Sequence, residues 1–370
     1  MRRIVRNLIL LAITVGLLGA LLYHWRRSIA KQGFSWTVLE HSVRQARLSL
    51  VLAAVVLVFV CYFIRAQRWM CFSRHLGRTR YRTVLQGTLM GFAAVFLLGR
   101  AGEPVRPVLI ARRDRLPISG EIGIYVLERI FDIAATLALF GSGLLLATRQ
   151  LADTGDDTAV TTARGVGLVM LVFLLAMIGF LIYFRLHGAG QLQRRLEVWR
   201  AGKGWRHRMA EWFAGFGEGL QAIRGPRDLI EAIAYSVVHW VLVALVVLWV
   251  CRSFGGDLGQ LGFADAMLVL GVSMLGGMVQ LPAVGGGAQA ATFFALTAFF
   301  GIEQEPAFAA AIVLWLVTFA AVVPVGVPLF IRQGLSVHEL WELASESKRE
   351  RILAEGGGGF GKQPEERVRR

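Results

Sequence analysis

The stretch "LLGRAGEPVRPVLIARRDR", residues 97–115, interrupts an apolar run with charges, glycine and proline. The apolar run before it covers 87–98, and only a few apolar residues follow it before the basic cluster at 112–115. A spanning helix needs about 20 predominantly apolar residues, so the piece after the break is too short to cross a bilayer. The pattern indicates a helix that is broken inside a membrane.

The composition of the whole chain supports a membrane setting. Of its 370 residues, 55% are hydrophobic and 18% are charged, whereas about 25% of the residues in a soluble domain are charged. We therefore predict an all-α polytopic membrane protein. Six apolar stretches have the length of a spanning helix: 4–23, 48–64, 121–148, 165–184, 229–251 and 307–331. The prolines Pro324 and Pro328 predict a kink in the last of them.

Two further apolar regions, 83–110 and 264–301, are interrupted by glycine and proline. We predict that each is a re-entrant hairpin. The first would enter from the cytoplasm and turn at Arg100 to Pro104, and the second would enter from outside and turn at "LPAVGGG", 281–287. Irregular backbone at membrane depth is tolerated only where protein or a wet cavity surrounds it. An ordinary loop and a flexible linker between full spans remain the alternative.

The distribution of basic residues predicts the orientation, because cytoplasmic loops carry an excess of Lys and Arg. Three segments are rich in arginine: 65–82, 112–115 and 185–227. Three others are poor in basic residues and are predicted outside: 149–164, 252–262 and 302–306. Both termini would then be cytoplasmic and the protein would lie in the cell inner membrane. The basic segment 24–47 contradicts this rule unless it forms an interfacial helix.

The same series of elements occurs twice along the chain. Residues 1–150 would form a first membrane repeat and 151–332 a second, which contains an amphipathic cytoplasmic loop at 185–228. Residues 333–370 would form a charged, partly disordered tail. Each repeat has three crossings, so the second would be inverted relative to the first, and paired broken segments in such repeats indicate a binding site.

The two hairpin turns predict an anion site. Pro104 suits the start of a helix, the glycines after Pro282 leave backbone N–H groups open, and helix N-termini bind anions. The predicted substrate-binding residues are Arg100, Gly102, Glu103, Arg106, Pro282, Gly285, Gly286, Gly287 and Gln289. We expect membrane lipids with anionic or phosphate-bearing headgroups as partners, and the net charge of +15 is attributed to contact with lipid and not to nucleic acid.

A second charged cluster lies in "LERIFD", where Glu128 and Asp132 share a helix face and Arg129 reaches Asp132 at i, i+3. It would be either a neutralised structural network or a coupling site, and both readings stay open. His239 is predicted as a packing residue, as are the three cysteines. The chain has no HExxH, catalytic Ser/His/Asp or P-loop motif, so we expect no metal, cofactor or catalytic residue.

The chain resembles the transmembrane region of bacterial lysylphosphatidylglycerol synthetases, a flippase-like family. The resemblance covers roughly residues 40–332 and is carried by "GRAGEPVRP", "LERIFD" and "LPAVGGG". Family members often continue the glycine turn with a small-x-Arg-Glu sequence, whereas this chain has "AQAAT", with Gln289 or Thr292 where a glutamate would stand. This departure suggests a different substrate.

The resemblance implies an activity on lipids. The family's synthetases carry an aminoacyl-transferase domain after the membrane region, and residues 333–370 are too few for one. Lysine transfer is therefore not expected, and the resemblance implies movement of a phospholipid, glycolipid or polyprenyl-linked lipid between leaflets. Two alternatives are a non-transporting membrane partner in envelope or lipid biosynthesis, and a lipid transferase that uses Glu103, Glu128 or Asp132 as its base.

Overall fold

The computed structural model describes residues 36–152, 222–277, 280–281 and 285–332, together with isolated positions between 165 and 219. The predicted span 4–23, most of 165–184 and 185–228, the tail 333–370 and Pro282 lie outside the described residues. The first half forms α1 Trp36–Gln45, α2 Leu48–Ser73, α3 Tyr81–Leu98, α4 Val105–Asp114 and α5 Ile118–Ala152. The second forms α6 Pro226–Ser253, α7 Gly256–Gln260, α8 Phe263–Gly276, α9 Gly287–Phe300, α10 Gln304–Trp315 and α11 Val323–Arg332.

The long helices have the length and composition of membrane spans. Four helical segments are apolar enough to cross a bilayer: Leu48–Ser73, Tyr81–Gly102, Pro226–Ser253 and Gln304–Arg332. The predicted stretch 121–148 lies within the single 35-residue helix α5. The chain is therefore an all-helical, multi-pass membrane protein, as the composition predicted. Its described strands are limited to a two-residue ladder, β1 Gln280–Leu281 with β2 Gly285–Gly286.

The first interrupted region folds as a helical hairpin. α3 ends at Leu98, a 3-10 turn covers Gly99–Gly102, and α4 returns from Val105 with Pro104 as its N-cap. Glycines let the two helices approach closely, because a Cβ at Gly91 would lie 2.6 Å from that of Arg106. A Cβ at Gly102 would collide with the carbonyl of Ala94. The break at Arg100 to Pro104 is therefore a turn between antiparallel helices.

The second interrupted region folds in the same way. α8 and α9 pack against each other, and the short ladder closes the turn by pairing Gln280 with Gly286. The Gln289 side chain accepts a 2.5 Å hydrogen bond from the Gly286 N–H at the start of α9. Gly286 has φ of 118°, which favours glycine. Across the hairpin, the hydroxyls of Ser273 and Thr292 lie 2.6 Å apart.

The core forms where the two halves meet. α2 packs along α6, and the hairpins contact the last helices of opposite halves: α3 packs on α11, and α8 packs on α5. Both crossings depend on glycine, since a Cβ at Gly326 would lie 2.5 Å from that of Ala93, and a Cβ at Gly271 would lie 2.5 Å from the ring of Phe140. Because each hairpin packs on a helix of the opposite half, both turns lie close to the same interior region.

The last apolar stretch is interrupted just before Pro324, and the kink predicted from its two prolines stays a prediction. α10 ends at Trp315, a π-helical turn covers Leu316–Ala320, and α11 begins at Val323. Pro324 lies in the first turn of α11, where the missing N–H costs least, and Pro328 lies inside it. The Thr318 carbonyl in the π turn accepts a 3.2 Å hydrogen bond from the Tyr62 hydroxyl of α2.

One prediction about a loop is wrong. The basic residues of 65–82 predict a cytoplasmic loop, but α2 continues to Ser73 and buries both Arg65 and Arg68. Only the residues from Arg74 to Arg80 connect α2 to α3. The helix can continue because its two interior arginines form ion pairs with carboxylates on another helix.

Candidate functional site

Two buried arginines and two buried carboxylates form the centre of the site. Arg65 and Arg68 lie three residues apart on α2, so they share a helix face. Glu128 and Asp132 lie four apart on α5 and face them. Arg65 donates hydrogen bonds of 3.0 Å to Glu128 and 2.5 Å to Asp132, and Arg68 donates bonds of 2.8 Å and 2.7 Å to the same two groups. These crossed pairs tie α2 to α5.

Helix α6 completes the surroundings of this centre. The Ser236 hydroxyl accepts a 3.1 Å hydrogen bond from Arg68, and the indole N–H of Trp240 donates one of 3.3 Å to Asp132. His239 Nε2 lies 3.4 Å from an Arg65 nitrogen. His239 is thus buried, as a packing residue would be, but it belongs to the charged cluster.

A third arginine comes from the first hairpin. Arg106 on α4 donates a 2.9 Å hydrogen bond to Glu128, and its guanidinium lies 4.1 Å from the centre of the Trp69 ring. It is only 4% exposed. Within the described part of the chain, its Nε and Nη2 have no hydrogen-bond partner. Trp69 in turn donates a 2.8 Å bond to the buried Glu121.

A fourth arginine lies at the edge of the cluster. Arg129 forms the predicted i, i+3 ion pair with Asp132 at 2.8 Å and lies over the ring of Tyr125. Its side chain is 34% exposed, and its Nε has no partner among the residues that the structure describes. We call Arg65, Arg68, Arg106, Arg129, Glu128 and Asp132 the arginine cluster.

The arginine cluster carries more positive than negative charge. It holds four arginines and two carboxylates that are within ion-pair distance of one another. The cluster therefore has two more positive than negative charges. The nearby Glu121, which accepts a hydrogen bond from Trp69, lowers this difference to one when it is ionised. Burying unpaired charge is costly, and such residues in membrane interiors mark functional sites.

The tip of the first hairpin lies beside the cluster and touches the second hairpin. Glu103 pairs with Arg100 at 2.6 Å and accepts a hydrogen bond from the Tyr125 hydroxyl. Arg100 also donates a 2.5 Å hydrogen bond to the Gly277 carbonyl, which follows α8. The two predicted turns therefore meet directly.

A cavity of about 260 Å³ joins the tips to the cluster. Its polar lining consists of Arg65, Arg100, Glu103, Arg106, Tyr125, Arg129, Asp132, His239, Ser273, Gln289 and Thr292. Its apolar lining includes Val58, Phe92, Val95, Val243, Val247, Leu270, Leu314, Trp315 and Phe319. The cavity can therefore hold a molecule with one charged end and one hydrocarbon end.

The structure brings together only some of the predicted binding residues. Arg100, Glu103, Arg106 and Gln289 border the cavity, together with Arg129 and Asp132 of the predicted network. Among the described residues, Gly102, Gly286 and Gly287 are not part of its lining. These glycines shape the turns, and the backbone at Gly102 packs directly against Ala94. The binding role predicted for Gly285, like theirs, stays a prediction.

Sequence reasoning missed the two central arginines. Loop charge alone places Arg65 and Arg68 outside the membrane, although apolar residues flank them on both sides in "FIRAQRWM". The available signal was their i, i+3 spacing, which places both arginines on one helix face. Glu128 and Asp132, at i, i+4 on another apolar helix, likewise share a face and carry the opposite charge. Residues such as Tyr125 and Trp240 gave no comparable signal, because aromatic side chains occur throughout the chain.

These features define an all-helical integral membrane protein with an amphipathic interior cavity and a buried arginine cluster. The sequence profile of the family described as "Lysylphosphatidylglycerol synthase TM region" matches residues 7–326. The chain belongs to this family, as the three motifs predicted, and this membership indicates a lipid-related function. A comparison with curated proteins gave no match.

Proposed function

We propose that this protein is a lipid translocase that moves a phosphate-bearing lipid between the leaflets of the cell membrane. The observation that supports this most is the cavity, because its lining combines several arginines with many apolar residues. A phospholipid, a glycolipid with a phosphate or a polyprenyl-linked lipid has the same division between headgroup and tail. Family membership adds independent support for a lipid substrate.

The arrangement of charges suggests how such a lipid would be held. The phosphate would lie next to the arginine cluster, where charge-assisted hydrogen bonds are about twice as strong as neutral ones. The hydrocarbon tail would lie along the wall that includes Phe92, Leu270 and Phe319. Enclosing only the headgroup in protein lowers the main barrier to crossing, which is the transfer of charge into hydrocarbon.

The proposed movement follows from the packing of the two halves. Each half supplies a hairpin that packs on the last helix of the other, as expected for inverted repeats that rock against each other. In this mechanism the hairpin tips would separate and rejoin on alternate sides of the membrane. Both termini would lie in the cytoplasm, and the hairpins would be re-entrant.

The test is reconstitution of the purified full chain into liposomes that contain lipids with a fluorescent acyl chain. Dithionite added outside reduces only the outer-leaflet fluorophores, so translocation appears as additional loss of fluorescence. Wild type should move at least one phosphate-bearing lipid, whereas Glu103→Gln and Arg106→Ala should slow it at least tenfold. Arg227→Gln is the matched control, since Arg227 forms an exposed pair with Glu231.

Each other outcome points to a different role. Folded wild-type protein that moves none of the lipids would contradict the translocase and favour a non-transporting membrane partner. A chemically altered lipid after incubation, detected by mass spectrometry, would favour a transferase.

A further inference from the structure

We propose that the cavity selects anionic lipid phosphates that lack an ammonium group, and that Arg106 and Arg129 are the residues that bind the phosphate. This inference rests on the proposed function for the identity of the ligand as a lipid. It adds the charge of the headgroup and assigns the groups that recognise it.

The four arginines of the cluster are not equivalent. All three guanidinium nitrogens of Arg65 lie within hydrogen-bond distance of a partner, and these partners are Glu128, Asp132 and His239. Arg68 does not border the cavity within the described residues and is completely buried. These two arginines neutralise the two carboxylates, and although the Arg68 Nε also has no partner in the described residues, it lies away from the cavity. Their role is to hold the site together.

Arg106 and Arg129 are the arginines of the surplus-positive cluster that border the cavity and have nitrogens without a partner in the described residues. Two buried nitrogens of Arg106, Nε and Nη2, and the buried Nε of Arg129 have no partner in the described part of the chain. A buried donor without an acceptor costs about 1–3 kcal/mol, and more when it is charged. Phosphate oxygens would remove this cost, and guanidinium groups match phosphate geometry with parallel hydrogen bonds.

The carboxylates at the cavity are already paired with arginines, so they provide no unpaired negative charge for an ammonium group. Asp132 already accepts hydrogen bonds from Arg65, Arg68 and Trp240 and pairs with Arg129. Each oxygen of Glu103 accepts one hydrogen bond, one from Arg100 and the other from Tyr125. A zwitterionic headgroup would therefore bring a cation next to surplus positive charge. Like charges in such a site give discrimination by repulsion.

The first experiment compares lipids that share one fluorescent acyl chain and differ only in their headgroup. The panel consists of phosphatidic acid, phosphatidylglycerol, phosphatidylethanolamine and phosphatidylcholine. Wild type should move the two anionic lipids at least tenfold faster than the two zwitterionic ones. Arg129→Gln and Arg106→Gln should each reduce this preference at least fivefold, and Arg227→Gln should preserve it.

The possible results separate the two proposals. If wild type moves all four lipids at similar rates, the charge selection is wrong and the translocase stands. If wild type prefers anionic lipids but Arg129→Gln keeps the full preference, the assignment of that arginine is wrong. If no lipid moves, the translocase proposal fails, and binding alone decides the inference.

Binding is measured by the thermal unfolding of the full chain in neutral detergent with short-chain lipids. Dioctanoyl phosphatidic acid should raise the midpoint temperature by several degrees, and dioctanoyl phosphatidylcholine should not. Glycerol 3-phosphate tests the phosphate without a tail. If the two lipids raise the midpoint temperature equally, or if neither raises it, the charge selection is wrong. If glycerol 3-phosphate raises it as much as phosphatidic acid does, the ligand is a free phosphate compound and not a lipid. Arg129→Gln, whose side chain is partly exposed, keeps the test valid if Arg106→Gln does not fold.

Discussion

Arg100, at the tip of the first hairpin, donates a 2.5 Å hydrogen bond to the carbonyl of Gly277, at the tip of the second. The two residues are 177 positions apart and come from different halves of the chain. The same arginine pairs with Glu103, which is held by Tyr125 of α5. A single side chain therefore connects both turns at the edge of the cavity, where the proposed movement would have to break a contact.

We predict that Arg100→Ala opens the cavity. Cys61 is buried and borders the cavity, so it can report access from solution. In a background with Cys71→Ala and Cys251→Ala, labelling of Cys61 by a small maleimide should become at least threefold faster when Arg100 is replaced. Arg252→Ala is the matched control, because it also removes an arginine bond to a carbonyl, that of Leu261. Equal labelling rates in both variants would show that the Arg100 contact does not close the cavity.

We predict that Arg68→Met destabilises the protein by about 3–5 kcal/mol, because it breaks a buried network by removing the hydrogen bonds to Glu128, Asp132 and Ser236. The measurement is reversible unfolding in mixed micelles with increasing dodecyl sulfate. Adding Glu128→Gln to Arg68→Met should cost less than the sum of the single changes, since the two side chains interact directly at 2.8 Å. Arg227→Met should change the stability by less than about 1 kcal/mol, because its pair is exposed. An Arg68→Met loss as small as this control would contradict the structural role of the arginine.

We predict that Gly276→Ala destabilises the second hairpin by about 1–3 kcal/mol, which is typical of overpacking. The added Cβ would collide with the Gly287 carbonyl and with Ala291 across the hairpin. Gly259→Ala in α7 is the control, because a Cβ there meets nothing within 4 Å and alanine favours helix. The unfolding midpoints of the two variants should shift in opposite directions. Similar shifts would mean that the α8 and α9 helices do not pack this closely.

We predict that Tyr125→Phe loosens Glu103 with only a small effect on folding. The change removes the hydroxyl that donates to Glu103 but keeps the ring under Arg129. The free energy of unfolding should fall by about 1 kcal/mol, and lipid movement in the dithionite assay should slow severalfold. Tyr235→Phe provides a matched control outside the site. A Tyr125→Phe variant with the wild-type rate would show that Glu103 needs no positioning by α5.

The sequence by itself determined the class of protein, the broken segments and the membership of the family. Apolar length and charge content suffice for a membrane helix, because hydrocarbon imposes the same demand on every span. The turn after Leu98 was predictable for a local reason, since glycine and proline end a helix wherever they cluster. The ion pair of Arg129 with Asp132 was also predictable, because it depends only on helical spacing.

Only the tertiary structure decided which charges meet. Spacing within α2 places Arg65 and Arg68 on one face, but nothing local selects Glu128 and Asp132, which lie about 60 residues away, as their partners. Arg106 was expected at the hairpin tip, yet the packing of α4 on α5 directs it to Glu128. Long-range pairs depend on how whole helices pack, because a buried charge is stable only where that packing brings a partner within hydrogen-bond distance.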